Sequence, residues 1–507
     1  MKYNPDRPEA YDLANLPMRT AQSYWEIIKK LFAATSKTAR AVITKSTGVS
    51  RLPLCAASRA FLHPTYFPLD PFHLFYENGT AFIWDIWTIS SSETEIIHLP
   101  ANKARAFGSL VAKAMVSLPP SFCGPIRDPH LKCQSQYKVY EWMALLHWYI
   151  IPIGIELGFN SLVLQNFSLF AEAVEFAMTI SERTEKELEG LRSLIIKFLT
   201  GFEKLYVDGD PEKISRMCLC IFQLIHVPTH IKWNGSIRLG SQATVARSIG
   251  EMGHKIHSKK APFANLANII SERELVKILL LYLPALDINA NASKEMKKND
   301  SNLIQKRKIT KREGQNEQVI CELDAINAWL KEANVKEKFV AKERYGKLRL
   351  ANGQILGSRL STSQVDNSLT RMQKWFKAKN THAQASSTTS TPPGSNTPNI
   401  LNHTFGEANS FYKVELTNKT YILVVYTPLI NVQQVLRTQI RGKWESPTTL
   451  KVIEASQILD LVGIWSAEAS KNIYVLRKHP GLAMLSAVES GKGDEGNDTD
   501  DSDSDEE

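Results

Sequence analysis

Asp70 is the residue of this chain best placed to do chemistry. It closes the stretch Tyr66-Phe67-Pro68-Leu69-Asp70, stands directly before Pro71, and has His73 three residues on. An amphipathic run through Phe82, Ile83 and Trp87 follows. The pattern reads as strand, carboxylate at the strand's C-terminal end, then helix. A carboxylate there can hold Mg²⁺ or Mn²⁺, and two such ions about 4 Å apart clamp a phosphodiester for in-line displacement. His73, one helical turn on, is placed to face a phosphate or simply to pack. The same residues also describe a plain helix start, with Asp70 as N-cap and Pro71 at N1. A second carboxylate, Glu251, stands near the end of a helix expected from about residue 244. Around it, Arg238, Arg247, Lys255, Lys259 and Lys260 form the best candidate surface for a DNA backbone.

The elements that must position these groups are mostly helical. From 102 to about 225 apolar residues recur at three and four, as in 101–118, 137–159, 164–181 and 185–206. Trp142, Leu145, Leu146 and Tyr149 share one face of such a helix. Pro119-Pro120 and Asp208-Gly209-Asp210-Pro211 break the run. Residues 288–320 are polar and Lys-rich and read as a linker. Its two basic clusters, Lys297-Lys298 and Lys306 to Arg312, have the spacing of a bipartite nuclear-import signal. Asn352-Gly353 between apolar runs predicts a hairpin. Residues 380–398 are rich in Thr, Ser and Pro, another linker. The β-branched runs near 411–416, 420–426, 451–454, 458–465 and 473–477 predict a small β-rich domain.

Composition sets the frame. The chain has 507 residues, 43% hydrophobic and 22% charged, an ordinary globular balance for several domains. Six scattered cysteines form no disulfide framework, which fits a reducing compartment. The apolar stretches 145–159 and 276–283 read as core helices, so no membrane partner is expected. Net charge is +9, yet the last fourteen residues hold nine acids and no Lys or Arg, leaving +18 on the rest. Such a basic body suggests a polyanion partner, and such a tail reads as disordered. There is no GxxxxGK[ST], no nucleophile elbow and no GxGxxG, so neither an NTPase, a hydrolase nor a dehydrogenase is indicated and no small-molecule substrate is expected.

Three stretches carry a resemblance. They are Phe67-Pro-Leu-Asp70-Pro-Phe-His73-Leu-Phe-Tyr-Glu-Asn78, then Ser135-Gln-Tyr-Lys-Val-Tyr-Glu-Trp142-Met-Ala-Leu-Leu-His147-Trp148, then His230-Ile-Lys-Trp233-Asn234-Gly235-Ser236-Ile237-Arg238 with Val245 to Glu251 after it. In this order they resemble fungal transposases of the CACTA (En/Spm) superfamily, over roughly half the chain. The resemblance implies cut-and-paste DNA chemistry by an RNase H-like acidic triad with Mg²⁺ or Mn²⁺, Asp70 and Glu251 as two of the acids, and His73 beside them. It also implies a nuclear protein with DNA and intact transposase copies as partners. The family's first aspartate and its Cys-x-x-Cys segment have no counterpart here, so an N-terminally truncated, catalytically incomplete form is expected. The implied class is α+β and mostly helical. The division is a partial RNase H-like segment with Asp70 at 1–92, an all-helical insertion at 93–230, and a return with Glu251 at 231–287. A basic, Ser/Thr/Pro-rich linker with short elements at 288–404, a small β-rich domain at 405–485 and a disordered acidic tail at 486–507 complete it. The rival reading is a non-enzymatic nuclear protein that binds DNA or transposase copies.

Overall fold

The computed structural model describes residues 19–132, 137–242, 249, 252–253, 256, 260–283, 302–335, 337, 339–362, 371–380, 403–416, 419–446 and 449–479. They form an α+β molecule in which helices come first and a large antiparallel sheet follows. Among the described residues no strand precedes Leu303. The strand expected to end at Asp70 is therefore a loop. Pro68 and Pro71 flank Asp70 and cannot donate to a ladder, and the run between them is too short to be a strand. The RNase H-like sheet expected of 1–92 and 231–287 is likewise not built by their described residues.

The helical half grows from local signals. The Ser161–Met178 helix starts where Asn160 accepts the N–H groups of Leu162 and Val163, at 2.9 and 3.4 Å. The Glu185–Phe202 helix starts on a capping box between Thr184 and Glu187. Val139–Ala144, Leu145–Tyr149 and Ile150–Glu156 run on as one helical stretch, and Trp142, Leu145, Leu146 and Tyr149 are all buried. Before it, Phe72–Thr80 takes a wide π-helical winding, continued by Ala81–Asp85 and Ile86–Ser90.

The described residues of the second half form ten strands: β1 (Leu303–Lys308), β2 (Glu343–Arg349), β3 (Ile355–Gly357), β4 (Trp375–Lys379), β5 (His403–Glu415), β6 (Thr420–Val435), β7 (Gln439–Trp444), β8 (Lys451–Glu454), β9 (Ile458–Ser466) and β10 (Ile473–Arg477). The Asn352-Gly353 turn does join β2 to β3, with Gly353 at φ 82°. The sheet takes in β1 to β4, so ordered structure begins about a hundred residues before the β-rich domain expected at 405. Pairing runs β5-β4-β9-β10-β7-β6 and back to β5, which closes six strands into a barrel. Trp375, Phe405, Leu429, Ile440, Val462, Ile464, Ile473 and Val475 fill it, with at least one residue from each of the six strands. The Glu317–Glu332 helix covers β5 and β6 beyond the barrel, setting Ile326 and Leu330 on Tyr412, Val414, Leu423 and Val425.

Barrel and helices share one core. Phe376, Leu461, Trp465, Tyr474 and Leu476 on the barrel's outer wall join the cluster of the helical half. At this seam the rings of His147 and His479 stack 3.4 Å apart, 16° from parallel. His479 is only 4% exposed, and although His147 keeps some open surface, its Nε2 lies 3.2 Å from the Tyr76 hydroxyl. Burial, helped by the Arg477 charge, pushes His147 down to about 3, and burial with the charges of His147, Arg477 and Arg238 holds His479 well below its ordinary value. The folded seam thus refuses protons that the unfolded chain accepts near pH 6.5. Stability is expected to be highest above that value and to fall as pH drops through it toward about 3. Urea midpoints measured from neutral pH downward check this. A His147→Gln, His479→Gln variant should lose much of the slope between pH about 6.5 and 4, and an unchanged slope would exclude the pair as its source.

Candidate functional site

Asp70 sits at the mouth of the Phe72–Thr80 segment, and both of its carboxylate oxygens accept hydrogen bonds from the protein. Oδ1 accepts the Phe72 N–H at 3.1 Å, the side-chain cap that a Pro at N1 prepares, while the Asp70 carbonyl takes the Leu74 N–H at 3.0 Å. Oδ1 also accepts the N–H of Gln242 at 3.2 Å, four residues beyond Arg238. Oδ2 receives the Nδ1–H of His73. Gly240 allows the close approach, because a Cβ there would lie 2.9 Å from the Pro68 side chain and 3.1 Å from the Leu69 carbonyl. The loop that carries Ser236 to Ser241 is thereby fastened against the loop that carries Asp70.

On the solvent side His73 lies between two acids. Its Nε2 is 3.2 Å from a Glu77 carboxylate oxygen, and the hydrogen bond to Asp70, with the charges of Asp70 and Glu77, raises its proton affinity above the ordinary value despite partial burial. On the core side Tyr76 is wholly buried and reaches His147, and burial keeps both neutral at pH 7. The Arg238 guanidinium lies close enough to Tyr76 and His479 to shift both, and burial lowers its own hold on the proton. The three stretches separated in sequence thus meet here: Asp70 to Glu77, then His147, then Ser236 to Arg238.

The placement of the other candidates differs. Glu251, Arg247, Lys255 and Lys259 lie outside the described residues. Lys260 is exposed, as a backbone-binding lysine must be, whereas Arg238 is half-buried against the core and so departs from the open basic face expected of it. Tyr76 and His147 sit inside the quoted motifs but were not singled out by their spacing. His479 had no local signal at all, since only the folded chain brings it to His147.

Among the described residues the donor set does not suit a pair of divalent ions. Among the described residues no group of three His, Cys, Asp or Glu side chains is arranged to share a metal. The His73 ring stands between Asp70 and Glu77, each on a different nitrogen, so the three do not converge on one point. The Asp70 oxygens already serve two backbone N–H groups and an imidazole. What this arrangement does is fix a helix start, tie two distant loops and favour the charged form of His73. Cys218 and Cys220 line an adjoining groove of about 660 Å³ with Glu77 and Trp142, their sulfurs 3.1 Å apart, and among the described residues His226 and His230 do not complete a zinc site with them. No protein-family model, curated protein or solved structure matches the chain.

Replacing Asp70 with Ala should lower stability by about 1 kcal/mol through the lost cap. It should also return His73 toward an ordinary titration. A raised histidine pKa gives stability that is present in full below pH about 6.5 and fades as pH rises through the raised value. The difference between wild type and Asp70→Ala should therefore be largest at mildly acidic pH, where His73 is charged. Histidine ring NMR titration and urea unfolding from roughly pH 5.5 upward through the His73 titration test both parts. A His73 that titrates identically in the two proteins would break the link.

Proposed function

We propose that this chain is a DNA-binding remnant of a CACTA-type transposase that no longer cuts DNA by itself. The observation that carries the reading is the meeting of the three resembling stretches beside Asp70, where Tyr76 of the first reaches His147 of the second and the Arg238 charge of the third acts on Tyr76. Sequence likeness alone would leave such stretches scattered, whereas residues inherited as a site keep a reason to stay together. On this reading the intact ancestor used Mg²⁺ or Mn²⁺ at an RNase H-like triad, and Asp70 with Glu251 descends from it. In this chain Asp70 has become a structural carboxylate. The +18 outside the acidic tail supplies the attraction to phosphate, and DNA and intact transposase copies are the partners proposed, in the nucleus.

Binding is measurable as fluorescence anisotropy of a labelled duplex. Affinity should fall steeply as salt rises, with a log–log slope of about −0.9 for each phosphate neutralised. Deleting residues 494–507 removes nine acids that compete for the same basic surface, so the truncated chain should bind more tightly. No binding at low salt would defeat the DNA reading, and equal affinity after truncation would defeat the competition.

Strand cleavage is the second test. With Mg²⁺ or Mn²⁺, the purified chain should neither nick nor join DNA carrying element ends, and Asp70→Ala should change nothing in that assay. Metal-dependent cleavage that disappears in Asp70→Ala would overturn the proposal, because Asp70 would then serve as a metal ligand and not only as a helix cap and loop tie.

A further inference from the structure

A cavity of about 710 Å³ lies between the Glu317–Glu332 helix and the strands β1 and β2, and shares no residue with the Asp70 site. That volume falls in the range of small-molecule sites. Three guanidiniums reach it from three segments: Arg307 of β1, Arg344 of β2 and Arg359 of the turn after β3. Arg307 and Arg344 are directly opposed across the β1–β2 ladder, so both side chains leave the sheet on the same face. Like charges in that relation destabilise a sheet unless something of opposite charge lies between or beside them.

The acids of the neighbourhood are partly spent. Glu322, 1% exposed, accepts the Ser410 and Tyr412 hydroxyls at 2.7 Å each and the Gln318 amide at 3.3 Å. Glu407 engages Arg359 and, at 2.8 Å, Lys374. Among the described residues Arg307 reaches the Leu360 carbonyl at 3.1 Å and no carboxylate. A second observation points the same way. Asn409 lines the cavity and is 1% exposed; its amide nitrogen reaches Thr427 at 3.2 Å, but its carbonyl oxygen has no hydrogen-bond partner among the described residues. Buried acceptors of that kind are normally satisfied.

The geometry points to a binding site for a small phosphate monoester that carries hydrogen-bond donors, of the nucleoside monophosphate class. The planar forks of Arg307, Arg344 and Arg359 fit a tetrahedral dianion, where a lysine would offer only a point charge. The remaining volume takes the nucleoside, whose hydroxyl or amino donors meet the Asn409 oxygen and the carboxylate of Glu317 at the cavity wall. This site does not depend on the DNA reading, since it needs neither duplex nor Asp70.

Calorimetry on the full chain in phosphate-free buffer tests it, with AMP, GMP, CMP and UMP, inorganic phosphate, adenosine and a 5′-phosphorylated oligonucleotide as probes. At least one nucleoside monophosphate should bind with Kd below about 1 mM, and at least about tenfold more tightly than inorganic phosphate or adenosine. Arg307→Gln should cost both the nucleotide and inorganic phosphate at least about tenfold, and Arg307→Lys less. Asn409→Leu should weaken the nucleotide while leaving inorganic phosphate where it was. Melting temperatures of the variants confirm folding, and the Lys variant keeps the test open if the Gln variant unfolds. Failure of all four nucleotides to bind overturns the inference. So does binding by the oligonucleotide alone, or nucleotide binding indifferent to both Arg307 variants.

Discussion

The apolar outer wall of the barrel must be covered, and the helical half is its cover. β4, β9 and β10 are apolar on both faces: Trp375 beside Phe376, Val462 beside Leu461, Val475 between Tyr474 and Leu476. One face fills the barrel, and the other would stand in water without the helices. At roughly 25 cal/mol for each Å² of apolar surface buried, rings such as Trp465 and Tyr474 make that cover a large share of what holds the molecule together. Polar groups then fix the register of the seam. Trp148 donates to the Arg477 carbonyl at 2.8 Å, Gln439 to the His147 carbonyl at 3.0 Å, and Asn472 and Tyr474 both donate to Glu156, at 2.9 and 2.7 Å. Gly463 lets the chain come within 3.1 Å of where a Cβ would stand, at the Ser117 carbonyl and Pro119. His147 can be neutral and stacked on His479 only because this seam is closed.

The same closure explains what becomes of Asp70. Its helix carries Tyr76 into the seam, so the helix start has to be held at a fixed place. A capping carboxylate does that, and the hydrogen bond from Gln242 ties the returning loop to the same point. A carboxylate so used is a poor metal ligand, since each accepted hydrogen bond takes a lone pair and stabilises the charge where it stands. Structural service and metal binding compete for the same two oxygens.

Much of the β half was legible. Asn352-Gly353 can supply positive φ at low cost, so the β2–β3 hairpin announced itself. The runs at 458–465 and 473–477 read as strands because they are too short and too β-branched for helices. That they are apolar without alternation is the mark of burial on both sides, which tells of a second layer but not which one. The strand before Asp70 was a false signal: a few apolar residues between prolines carry no period, and local capping decided the backbone there. The arginine cavity was illegible because Arg307, Arg344 and Arg359 lie on three segments that only the β1–β2 ladder and the following turn bring together. The same holds for His479.

β1 shows how a composition can mislead. Lys306-Arg307-Lys308 reads in the sequence as part of a basic import signal on a linker. In the fold it is a strand, and side chains on a strand alternate between faces. Lys306 turns outward to Glu343 at 2.7 Å, while Arg307 turns inward to the Leu360 carbonyl and the cavity. One basic cluster therefore does two unrelated things, and a shift of a single residue in register would exchange them, putting a lysine beside Arg344 and the arginine in water. The pairing of Leu303 with Leu348, both buried, is what forbids that shift, because the slipped strand would have to leave one of the two leucines exposed.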